Sequence, residues 1–161
     1  MRRRLFSSVL LVMSLNHAAY SAEGSARESA PPTAAVQTQI ANAMKLRLKV
    51  KDKEITVTLI DSETTRDFVS LLPLTLTMDD LFGREKFGHL PRAISQGGKR
   101  TQTYEVGDVV YWSPGPDVAI FYRHDGQSIP PPGIIVLGKI ESGMDVLNVP
   151  GSVFVTIDLV R

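Results

Sequence analysis

The chain has 161 residues, no cysteine, 18 basic and 17 acidic side chains and a net charge of +1. That length suits one domain with a modest core, and the missing cysteine excludes a disulfide framework, a thiolate nucleophile and a lipidated N-terminal cysteine. From residue 45 onward 14 Lys and Arg stand against 15 Asp and Glu, a net charge of −1, so the positive excess belongs to the leader and charge gives no case for nucleic acid or an anionic membrane.

The chain opens "MRRRLFSSVLLVMSLNHAAYSAEG": three arginines, an apolar run from Leu5 to Leu15, then small residues. This is the layout of a secretory signal peptide over residues 1–22, cleaved after Ser21 or Ala22, and the run is too short for a permanent span. An uncleaved membrane anchor is the alternative. Export to the periplasm or the medium of a bacterium follows as an expectation. Residues 23–44, small and polar with Pro31-Pro32, cannot bury enough surface to offset their ordering entropy and read as a flexible linker ahead of a domain at 45–161.

Leu46, Leu48 and Val50 alternate with Lys45, Arg47 and Lys49, and Ile55, Val57 and Leu59 repeat the alternation after "KDK". Residues 45–60 are therefore predicted to be a β-hairpin. In "DSETTRDFVSLLP" Asp61 or Ser62 can cap a helix, Glu63 suits its first turn, and Phe68, Leu71 and Leu72 form an apolar stripe. "LTLTM" returns to strand alternation. Residues 79–105 are glycine-rich and irregular, with "RAIS" alone resembling a short strand. Two aromatic strands follow, about 108–112 and 118–123, joined by the turn "SPGPD". Pro130 to Pro132 predict an extended, donor-poor path. "IIVLGKI" is a strand buried on both faces, "ESGMDVL" a turn or short helix, and "SVFVTIDLV" a closing strand. About eight short strands and one clear helix without a βαβ rhythm predict a mainly β fold, a small closed antiparallel barrel with one or two capping helices.

The sequence offers little overt chemistry. His89 and His124 are isolated, Asp79-Asp80 reads as a solvated cap, and no nucleophile elbow, phosphate loop or dinucleotide fingerprint is present, so no cofactor and no metal is expected. The aromatic hairpin stands out. Side chains alternate along a strand, so only one of Tyr111 and Trp112, and one of Phe121 and Tyr122, can face the core. The other two form either a small apolar binding surface or a cross-strand pair that merely stabilises the hairpin.

The run "GDVVYWSPGPDVAIFY…GIIVLGKIESGMDVL", with "TTRDFVSLLP" before it, resembles the cyclophilins, and most closely the shortened bacterial and archaeal cyclophilin-like proteins, which carry a similar "E-x-GD-x-x-YW-x-PG". The resemblance spans about residues 45–161 and implies a barrel of cyclophilin type. Cyclophilins are prolyl isomerases that place an arginine beside an apolar proline pocket. Carried over, Phe121 matches the pocket phenylalanine and Gln96 the glutamine of "QGG", while Lys99 replaces the aspartate that follows. The catalytic arginine falls on Gly88, the pocket histidine on Ile134 and the ligand-sensing tryptophan near Ile129. Arg92 and Arg123 are the candidate substitutes for the arginine, and Phe121, Gln96, Tyr111 and Trp112 the candidate ligand pocket. The expected function is an exported binding or accessory module whose small apolar groove takes a peptide segment or small molecule. Prolyl isomerisation at a non-standard site, or a purely structural role, are the alternatives.

Overall fold

A computed structural model describes residues 44–160; the expected signal peptide and, apart from Met44, the expected linker lie outside the described residues. The strands are β1 (Lys45–Val50), β2 (Lys53–Leu59), β3 (Leu74–Leu81), β4 (Glu85–His89), β5 (Arg100–Thr101), β6 (Asp108–Trp112), β7 (Asp117–Phe121), β8 (Ile134–Ser142) and β9 (Val153–Leu159), with one helix, α1 (Glu63–Val69). Neighbours run β2-β1-β9-β3-β4-β7-β6-β8, and a β2–β8 pairing closes the ring. Every pairing is antiparallel, and the two-residue β5 extends the ring beside the start of β8. Closure satisfies the backbone of both would-be edge strands.

The period-2 pattern fills the interior. Leu46 and Leu48 of β1, Ile55 and Val57 of β2, Met78 of β3, Val109 and Tyr111 of β6, Val118 and Ile120 of β7, and Ile135 and Leu137 of β8 form one buried cluster. Helix α1 presses Phe68 onto it. Ser62 caps the helix by accepting a hydrogen bond from Thr65 N (3.1 Å) and Glu63 lies in its first turn, as the sequence requires. After β8 a single 3₁₀ turn, Met144–Leu147, brings Leu147 into the same cluster. Gly143 begins that turn at φ 85, where a side chain would be strained and a Cβ would also collide with Glu54 O.

Four expectations are corrected. The stretch 79–105 is not irregular throughout, since it holds the end of β3, all of β4 and the short β5. "RAIS" forms no strand: its backbone is spent on side-chain partners, Ser95 N donating to Asp67 of α1 (2.7 Å) and Ile94 N to the Tyr111 hydroxyl (3.3 Å). The proline run is not extended: Pro131 and Pro132 form a turn in which Gly133 N donates back to Pro130 O (2.9 Å). Asp80 is no solvated cap. Its carboxylate accepts from the fully buried Lys86 ammonium (2.7 Å) and the Tyr122 hydroxyl (2.6 Å), and Lys86 spends its other donors on the carbonyls of Val149 (2.5 Å) and Gly151 (2.6 Å). Lys86 is thus buried with all three protons used.

Candidate functional site

A second apolar cluster lies outside the barrel. Alternation on the four adjacent strands β4, β7, β6 and β8 turns Phe87, Ala119, Phe121, Val110, Trp112, Ile134 and Val136 outward, where Tyr104 and Ile129 from two loops cover part of them. The cover is incomplete. A cleft of about 240 Å³ remains, and Ala119 is the reason. It is the one small residue on this face, registered opposite Phe87 on β4 and Val110 on β6, and the larger neighbours stand around it as walls. Wider than the cleft, a hollow of about 580 Å³ near the end of α1 has Arg47 and Asp158 in its lining, without aromatic walls.

The strand register orders the cleft along β7. At one end Trp112, Asp117 and His89 lie side by side across β6, β7 and β4. At the other, Glu85 of β4 is opposite Phe121, and the β3–β4 turn contributes Phe82 and Arg84. Phe121 is 1% exposed because Tyr104 stacks on its ring at 3.9 Å between centroids, with His124 continuing the stack at 4.7 Å. The open floor is accordingly at Ala119 and not at the Phe121 face.

Arg84 is the arginine beside Phe121. Its guanidinium carbon is 5.7 Å from the centroid of that ring, 5.5 Å from Tyr104 and 5.3 Å from Phe82. Nε donates to Glu85 (3.1 Å) and Nη1 to Asp125 (3.1 Å), while Asp125 also accepts from the Tyr104 hydroxyl (2.6 Å). The Tyr104 hydrogen bond, more than any other contact, holds the Asp125 carboxyl down to about 2. Burial pushes the Glu85 and Asp117 carboxyls up, because both stand where a charge is poorly solvated.

The structure sorts the expected residues. Trp112 and Phe121 line the cleft. Tyr111 does not: odd positions of β6 point inward, and it is fully buried inside the barrel. Gln96 sits before β5, where its carbonyl accepts from Arg100. Arg92 is held at α1 by Asp67 (2.6 Å) and Ser70 (3.0 Å), and Arg123 leans on Tyr122 and donates to Asn148 (2.9 Å), so neither faces Phe121. Gly88 points into the barrel toward Met78 and Leu76, where no arginine fits. Yet Ile129 and Ile134, at or near the family's pocket tryptophan and histidine, both line the cleft. Arg84 lacks the sequence context of the catalytic arginine: its only signal is the "FG" turn that precedes it, and in "REK" it reads as an ordinary charged surface residue. Among the described residues no group of His, Cys, Asp or Glu is arranged to hold a metal.

A closed antiparallel barrel with its concavity on the outer face of β4, β7, β6 and β8 defines the class. The cyclophilin-like family model matches residues 48–158, and the chain belongs to that family. It is similar to a hypothetical protein from Archaeoglobus fulgidus known from a solution structure: identity is 25% and the TM-score 0.58, over 72% of this chain and 94% of that one. No curated protein matches.

Proposed function

We propose that this protein is an exported binding or accessory module and that the cleft over Ala119 takes an apolar peptide segment or small molecule. One observation carries the reading: a bounded apolar hollow of about 240 Å³ with Phe82, Phe87 and Trp112 in its walls, on a face where a barrel needing only structural support would fill the space with a larger residue than Ala119. Retaining alanine at the centre of an otherwise bulky face favours an occupant. The leader of three arginines and an apolar run supports export.

Calorimetric titration with an acetylated Ala-Ala-Pro-Phe amide tests the reading. Saturable binding that disappears in Ala119→Leu, while the melting temperature is kept, is the expected result. Equal binding by wild type and Ala119→Leu would sink it.

Prolyl isomerisation is the second reading, favoured by the Arg84 guanidinium at 5.7 Å from Phe121. Two of the three guanidinium nitrogens are committed to carboxylates and Tyr104 covers one face of Phe121, so the arginine is less available than a catalyst requires. Accelerated isomerisation of the same peptide, lost in Arg84→Ala, would decide for catalysis. An unchanged uncatalysed rate leaves binding alone.

A further inference from the structure

The cleft carries an unusual charge. Asp117 is 8% exposed and lines the cleft, and its Oδ1 is in ion-pair contact with the His89 imidazole but receives no well-aligned hydrogen bond. The neighbouring His89 imidazole is within ion-pair reach of that oxygen, but its Nδ1 is also 3.3 Å from Gly115 O, and the ring itself is largely exposed. Burial leaves this carboxylate short of solvation by more than the His89 imidazole restores, and an under-compensated buried charge is costly. Gly115 leaves room for it in the "PGP" turn, since a Cβ there would collide with Asp117 Oδ2.

The surroundings add to this. Of the charged side chains in the lining, Glu85 and Asp117 stand against Arg84 alone, and Arg84 already answers to both Glu85 and Asp125. The cleft is therefore net negative, which repels an anion and attracts a cation. Beside Asp117 on the next strand is Trp112, half-buried, whose indole suits a cation as well as an apolar chain.

Resting on the cleft reading above, we infer that its occupant carries an ammonium group on an apolar body, the ammonium seated on Asp117 beside Trp112 and the body lying over Ala119 toward Phe121. A lysine side chain and a free alkylamine share this chemistry. The ammonium supplies the hydrogen bonds that Asp117 Oδ1 lacks, and the exposed His89 is the weaker partner it displaces.

Trp112 is the only tryptophan in the chain, so its emission reports this end of the cleft directly. The experiment titrates the protein with hexylammonium chloride, with 1-hexanol, and with an acetylated Ala-Lys-Ala amide. Hexylammonium is expected to bind about tenfold more tightly than hexanol, with the preference lost in Asp117→Asn and the hexanol affinity retained. His89→Ala, which removes the competing imidazole, should tighten hexylammonium binding, and this second variant does not depend on how well Asp117→Asn folds. A lysine peptide binding better than hexylammonium identifies a polypeptide ligand; the reverse identifies a free amine. Equal affinities for hexylammonium and hexanol in wild type and Asp117→Asn overturn the ammonium seat and leave the apolar cleft standing. Absence of any saturable change with all three probes overturns both.

Discussion

Phe82 holds a backbone conformation that bulky residues avoid. With φ 57 at Phe82, φ 64 at Gly83 and Arg84 N donating to Leu81 O (3.2 Å), the β3–β4 connection has the form of a type I′ turn, whose first central position suits asparagine. The ring is 77% exposed and earns nothing from the core. Phe82→Asn should therefore raise stability by about 0.5–1 kcal/mol, a few degrees in thermal melts, while weakening occupancy of the cleft it borders. A melting temperature that falls would show that the stack on Arg84 outweighs the backbone cost. Lys86 is the opposite case. Fully buried with three acceptors, it cannot be removed without stranding Asp80 and two carbonyls, so Lys86→Met should cost about 3 kcal/mol or more in denaturant unfolding. Neither role was readable beforehand: "REK" and "DD" look like surface charge, and only the β4 register shows that Lys86 points inward while Arg84 and Glu85 flank the cleft.

Elements were more legible than residues. The hairpin at 45–60, the Ser62 cap and the aromatic hairpin around "SPGPD" are local, so periodicity and turn chemistry sufficed. The stretch "RAIS" has the residues of a strand but forms none, because Ser95 N is satisfied by Asp67 of α1 and Ile94 N by Tyr111 of β6, partners far away in sequence. Arg92, with Ser95 N and Ser70, holds the Asp67 carboxyl down to about 2 from an ordinary 3.8. A folded value below the unfolded one means that this tie stabilises the protein above about pH 4 and is lost as pH falls toward 2. Circular dichroism melts should show melting temperature dropping across that window, and Asp67→Asn should flatten the drop while lowering stability at neutral pH. An unaltered acid profile in Asp67→Asn would remove α1 docking from the account.

At the scale of the molecule, closure follows from the strand pattern, since about eight alternating strands without βαβ units have few other ways to satisfy their edges. The cleft did not. It depends on which side of the barrel wall each aromatic takes, and on one alanine set between Val110 of the local β6–β7 hairpin and Phe87 of β4, a strand some thirty residues away in sequence. The residues alone centre the expected pocket on Phe121; in the fold the open floor of the cleft is at Ala119, and Arg84, not Arg92 or Arg123, lies beside Phe121. The most direct test of that relocation is the Trp112 indole N–H resonance, followed by NMR during titration with the acetylated Ala-Ala-Pro-Phe amide. A saturable shift shared by the amides of Val110, Ala119 and Ile134, and absent in Ala119→Leu, is the predicted result; shifts confined to another face of the barrel, or unchanged by Ala119→Leu, would contradict it.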